Sequence, residues 1–253
     1  MGRAALNPVR SRGAALVAAM LVAALAAAVV ATLAASQSLW LRSVELRRDQ
    51  VQAQAIVLAG LAWARDAVRK NAGSDTVDHL GEPWALPLPP TPLDDGFVEG
   101  AIVDAQGRLN LNNLGDDGAL ARATHDRVAR LFARSGIAAS ALDAMAASMR
   151  DAGRAGTTSP GAPGSFVRVA EVAAVPGIDA VRLAALAPLV TALPRPTRVN
   201  VNTAPPEVLA LVAHGLDGEA LAALVAERAR KPFASIGEFR SRLPSGAAAP
   251  DDA

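Results

Sequence analysis

The chain has 253 residues, with 25 Lys and Arg against 24 Asp and Glu, and no cysteine. A net charge of +1 supplies no strong field for a polyanion, and the missing cysteines exclude disulfides, thiol nucleophiles and thiolate metal sites. Half of the residues are hydrophobic, but with five Phe, three Trp and no Tyr the core has to be built mostly from small aliphatic side chains.

Arg3, Arg10 and Arg12 lead into a run from Gly13 to Leu41 that carries no charge. Ala14 to Ala35 alone supplies 22 residues, and a spanning helix needs about 20. A secretory signal has an apolar core of only about 7–15 residues, so this run is too long for one. Arg42, Arg47 and Arg48 follow it among Glu45 and Asp49, which favours a cytoplasmic N-terminus by a small margin. On these grounds alone the segment is an uncleaved single-pass anchor. No Gly or Pro interrupts Ala14 to Ala59, and Leu39, Leu46, Ile56, Leu58, Leu61 and Trp63 continue between Arg, Glu and Gln. The spacing predicts one helix over 14–70, transmembrane over about 14–36 and amphipathic beyond it.

Residues 71–96 include PWALPLPPTPLDDG and are expected to form a loop. Val98, Ala101 and Val103, then Leu109 and Leu111, alternate around Ala105-Gln106-Gly107, which predicts a β-hairpin over 97–112. Helical spacing returns at Leu120, Val128, Leu131 and Phe132, and again at Leu142, Met145 and Met149, as core positions. The stretch TTSPGAPGS before Phe166 is loop-like. Phe166–Val172 then resembles Phe233–Phe239, a weak internal repeat. Ser235 and Glu238 form a capping box in the second copy, and Arg168 replaces the serine in the first. Val175-Pro176-Gly177 ends the first short helix, Val181–Leu193 supplies another, and Thr203 is the expected N-cap before Pro205 and Pro206.

No catalytic constellation emerges. His79, His125 and His214 stand alone, and there is no nucleophile elbow, P-loop or dinucleotide fingerprint. The oxygen-rich stretch NLNNLGDDG (Asn110–Gly118), with Asp116 and Asp117, does not fit a calcium loop and is read as a turn capping the next helix. The segment around Gly215-x-x-Gly218 has helix-hairpin-helix character, a motif that grips nucleic-acid backbones. Between Arg198 and Leu243, however, six basic residues meet five acidic ones, and Asp217 and Glu219 sit at the hairpin. A nucleic-acid groove shows a clear basic excess, so a structural use of this unit is expected. A membrane-anchored periplasmic DNA-binding protein is the alternative.

The Arg-Gly junction before an apolar helix, DAQGRLNLNNL at Asp104–Leu114, FVRVAEVAAVPGI at Phe166–Ile178 and RVNVNTAPPEVLALV at Arg198–Val212 together resemble the minor pseudopilin K family of type II secretion systems. The resemblance implies an α+β fold, in which a pilin-like long helix packs on a small antiparallel sheet. A large all-α domain of two SAM-like or helix-hairpin-helix-like units is inserted into that sheet. Its parts would be a leader over 1–13, a loop and hairpin over 71–115, helical units over about 116–193 and 198–243, and a disordered tail over 244–253. It further implies cleavage by prepilin peptidase between Gly13 and Ala14 and methylation of Ala14. Most pilin-like proteins carry Glu at mature position five. Here that position is Ala18, as in the K family, which suits a subunit with none above it. The implied role is a non-enzymatic tip subunit that initiates or caps the pseudopilus. Its partners would be minor pseudopilins I and J, and its place the bacterial inner membrane, with the C-terminal domain in the periplasm. The family links calcium to an acidic loop after an Arg-Asp-x-Asp-like start. Arg150-Asp151 is followed here by AGRAGTTSPGAPGS, which has no carboxylate, leaving Asp151, Asp116 and Asp117 as weak candidates. Family members also continue into strands that complete the sheet, where this sequence runs into LPSGAAAPDDA.

Overall fold

The computed structural model describes residues 8–72, 77–93, 96–154 and 165–249; the expected leader residues 1–7 and the tail residues 250–253 lie outside them. The chain divides into residues 1–63 and 64–253. The first unit is a single helix, α1 (Pro8–Asn71), whose last turns belong to the second. Its 64 residues extend about 96 Å. It begins ahead of the expected Ala14, at a proline, which suits a first helical turn. All side chains from Gly13 to Ala55 are exposed, so the apolar faces of this half are left for lipid or for other chains.

In the second unit the end of α1 is fastened by a buried carboxylate. Glu82 accepts hydrogen bonds from the Asn71 amide, from the His79 N–H at 2.7 Å and from the Trp84 indole at 2.8 Å. Burial alone would raise its pKa, but these donors outweigh it and hold the carboxyl below its ordinary value.

Strand β1 (Leu88–Leu93) and strand β2 (Gly96–Gly100) form an antiparallel hairpin, with Thr91 opposite Val98 and Pro92 opposite Phe97. The expected hairpin over 97–112 is therefore one segment too late, and 71–96 is not all loop. The prolines hid a strand that pairs on one side only among the described residues, an edge position where proline is tolerated. Ala105–Gly107 is a 3-10 turn, capped by Asp104 accepting from the Gln106 N–H. It sends the chain into β3 (Leu109–Asn110), which runs parallel to β4 (Val190–Thr191).

The helical part follows, with α2 (Ala119–Arg134) and α3 (Ala139–Arg154) burying Val128, Leu131, Phe132, Leu142, Met145 and Met149 as their spacing requires. Leu120, in the first turn of α2, is only half-buried and lies outside the core. A 3-10 segment at Val169–Ala174 and α4 (Ala180–Leu186) precede β4; α4 stops before Pro188, short of the expected Leu193. Then come α5 (Pro206–Val212), α6 (Gly218–Arg230) and α7 (Ile236–Ser241). Thr203 does not cap α5. Pro205 holds the N-cap position, and the Thr203 hydroxyl donates instead to Asp104 Oδ2 at 2.6 Å. Asn110 caps a 3-10 turn at Leu111–Gly115, not α2, whose N-cap is Gly118. The expected tail is ordered to residue 249: His214 and Ala248 exchange two backbone hydrogen bonds.

The internal repeat is much larger than the Phe166 and Phe233 segments. It starts at Arg108 rather than at residue 116, with Arg108-Leu-Asn-Leu-Asn112 matched by Arg198-Val-Asn-Val-Asn202. In each copy the first Asn accepts from the second one's N–H, Asn110 from Asn112 and Asn200 from Asn202. In each copy the second amide clamps a phenylalanine backbone on both sides. Asn112 donates to Phe166 C=O at 2.8 Å and accepts from its N–H at 2.9 Å; Asn202 does the same to Phe233 at 2.9 and 2.8 Å. Between Asn and Phe lie two helices joined at a left-handed glycine, Gly136 (φ 68°) or Gly215 (φ 79°). After Phe, a glutamate turns back on the next N–H, Glu171 on Val167 and Glu238 on Ala234. Ser235 accepts from the Glu238 N–H and α7 is α-helical, whereas Arg168 offers no cap and its segment is 3-10.

The clamps predict unequal costs. Asn202→Ala leaves two buried backbone groups of Phe233 unpaired and should cost about 3 kcal/mol, and Asn112→Ala, half-buried, about 1.5 kcal/mol, in urea unfolding. Glu238 also gives a pH signature. Hydrogen bonds from Ala234 N–H and Arg242 depress its pKa from 4.5 to about 2. Its stabilisation is thus present above pH 4.5 and lost as pH falls through about 2. Glu238→Gln should lower stability at pH 7 and match the parent chain below pH 2, measured by thermal unfolding across that range.

Candidate functional site

The residues singled out in the sequence fall in three separate places. Gly13, Ala14 and Ala18 lie on α1, all exposed, and a side chain at Gly13 would meet nothing within 4 Å.

Asp116 and Asp117 line an open cleft of about 560 Å³ with Leu114, Arg122, His125, Asp126 and Arg150. Two arginines already face Asp117. Arg150 Nε stands 3.7 Å from Asp117 Oδ1, and Arg122 donates to the Asp117 carbonyl at 3.1 Å. Asp151 is exposed on α3 and does not line this cleft. Among the described residues no group of three or more His, Asp and Glu could hold a metal ion. Guanidinium groups beside the oxygen donors disfavour a cation, so these residues do not fit a calcium site. The rest of the segment expected to carry one, 155–164, lies outside the described residues.

The third place is the hairpin between α5 and α6. Nucleic-acid recognition by such a turn needs free backbone N–H groups. Here the His214 N–H donates to Ala248 C=O at 2.8 Å, and the Asp217 side chain accepts from the Ala220 N–H at 2.7 Å. Gly246 closes over Gly215 so tightly that a Cβ on Gly215 would stand 2.7 Å from its carbonyl oxygen. Glu219 adds a second carboxylate to the first turn of α6. The segment that covers the hairpin was expected to be disordered.

Each histidine has a local partner. His79 Nδ1 accepts from the Gly81 N–H, His125 Nε2 meets Asp143 Oδ1 at 2.8 Å across α2 and α3, and His214 Nδ1 meets Arg130 at 2.8 Å. Arg130 also donates to Leu211 C=O, so α2 is tied to the end of α5. The bonds of His125 and Arg130 join elements of one helical domain.

Two models of the type II secretion system (T2SS), protein K family match the chain, one over residues 107–195 and one over 199–253. The type II secretion system protein K of Pseudomonas aeruginosa is 30% identical over 256 residues, covering 91% of this chain and 76% of that protein. The chain belongs to the type II secretion system protein K family. Its fold also matches the crystal structure of the GspK-GspI-GspJ complex from the type 2 secretion system of enterotoxigenic Escherichia coli. The TM-score is 0.61 and the identity 21%, over 78% of this chain and 76% of that one. The family matches part between residues 195 and 199, where the second Arg-Φ-Asn-Φ-Asn copy begins (Φ, an apolar residue). That boundary is the junction between the two repeats. The expected helical units, over about 116–193 and 198–243, leave the same interval between them, and what they lack is the start of the first copy at Arg108.

The closed hairpin predicts a negative result with a clear control. At low salt, where phosphate contacts are strongest, the full chain should not retard labelled duplex DNA in fluorescence anisotropy. Retention that weakens steeply as salt rises would contradict the covered hairpin.

Proposed function

We propose that the chain is a structural minor pseudopilin at the tip of the type II secretion pseudopilus, where it initiates or caps the filament for export across the outer membrane. The likeness to the Pseudomonas aeruginosa protein along 91% of the chain carries this reading. The partners would be minor pseudopilins I and J, by analogy with the Escherichia coli complex that contains GspI and GspJ. The role is assembly, not catalysis.

Helix α1 is long and apolar enough to cross a membrane over its first half. In this reading it is anchored in the bacterial inner membrane with the helical domain in the periplasm. Prepilin peptidase cuts between Gly13 and Ala14 and the new N-terminus at Ala14 is methylated. Exposure of Gly13 and its empty surroundings support access to that bond. Ala18 then occupies mature position five. An acid there would compensate the ammonium group of a neighbouring subunit inside lipid, where an unpaired charge is costly. Alanine makes no such contact, which suits an end position.

Intact mass of the protein from membranes of cells with and without prepilin peptidase tests this. The expected species is Ala14–Ala253 with one added methyl group, only where the peptidase is present. A full-length mass in both strains would overturn the processing and the tip assignment built on it.

A further inference from the structure

The two repeats differ at one place that bears on partners. Their matched clamps set Phe166 against Phe233 and Glu171 against Glu238, and the same count sets Val175 against Arg242. Counting from the left-handed glycines sets Met145 against Leu224, Ser148 against Glu227 and Met149 against Arg228.

In the second repeat the Arg242 side chain lies across this surface. Its guanidinium sits 5.1 Å from the centre of the Phe233 ring. It donates to Lys231 C=O at 2.9 Å, pairs with Glu238, and stands 3.7 Å from Glu227. Only 12% of the side chain is exposed. In the first repeat the corresponding residue is Val175, and an open groove of about 320 Å³ lies there, lined by Met145, Ser148, Met149, Phe166, Glu171 and Val175. The groove offers an aromatic ring and a carboxylate, as Arg242 has around it, with Ser148 in the place of the second carboxylate, Glu227. Two methionines make the walls adaptable.

Within the chain Glu171 has a weak cationic partner. Arg168 Nε is 3.5 Å away, but that side chain is 79% exposed and hydrated, a pair of little worth. The second Glu171 oxygen is held by the Val167 N–H at 2.9 Å, so the carboxylate is fixed at the groove.

We propose that this groove is a docking pocket for an arginine side chain of a partner protein, taking the place that Arg242 fills within the second repeat. The guanidinium stacks on Phe166 and bonds Glu171, while the aliphatic stem lies along Met145 and Met149.

The test uses the full chain in detergent micelles, labelled with [13C-methyl]methionine, and N-acetyl-arginine amide as probe. N-acetyl-citrulline amide, of the same shape but neutral, is the control. The arginine probe should shift the Met145 and Met149 methyl signals saturably and leave Met20 unmoved, and the citrulline probe should not. Glu171→Gln, at an exposed rim position, should weaken the response about tenfold, as for the loss of one charge-assisted hydrogen bond. Val175→Arg should fill the groove from within, move both methyls without probe and abolish the titration. Equal binding of citrulline amide, an unchanged affinity in Glu171→Gln, or no shift up to about 50 mM probe would each overturn the proposal.

Discussion

Everything in the helical domain hangs on one small device, an asparagine amide that clamps the backbone of a distant phenylalanine on both its N–H and its C=O. A carboxamide is the compact side chain that offers donor and acceptor together. It closes a gap of 54 residues in the first repeat and 31 in the second. The device suits a protein short of large apolar groups. Alanine-rich helices bury little area each, so a unique arrangement depends on satisfying the irregular backbone between them. Asn110 and Asn113 extend the principle to the linker, holding Leu193 and both backbone groups of Thr197. Gly107 completes it from the other side, because a Cβ there would stand 3.0 Å from the Thr203 backbone.

The two copies have diverged around this shared frame. The second is tightly finished, with a serine cap on α7, an edge-to-face pair between Phe233 and Phe239 at 5.1 Å, and buried Arg228 donating to Val201 and Ala204 carbonyls at 2.7 Å each. Desolvation lowers the Arg228 pKa, and its Nη1 is held between the two carbonyls. The first copy has methionines where the second has Leu224 and Arg228, and a 3-10 segment where the second has a helix.

How far the sequence foretold this depended on the kind of signal. The long helix was plain, because absence of charge over Gly13–Leu41 is a property of each residue alone. The core positions of α2 and α3 followed from spacing. The Ser235–Glu238 box and the missing cap at Arg168 were also visible, since capping is local. The hairpin of β1 and β2 was missed for a local reason, its prolines, and the other failures depended on distant partners. Thr203 looked like a cap, yet its hydroxyl is drawn to Asp104, 99 residues away. Arg108–Asn112 alternates like a hairpin strand, yet its asparagines serve the clamp. The Pro-Ser-Gly-Ala tail looked disordered because its order comes from His214, not from its own composition.

The prolines of β1 have a consequence for how this protein meets its own kind. Pro89, Pro90 and Pro92 remove half of the strand's amide hydrogens, while β2 contains none and keeps its full set. A strand arriving at β1 finds a broken ladder, and one arriving at β2 finds an intact one. The two edges of the hairpin are therefore unlike, and β2 carries the more complete row of amide donors.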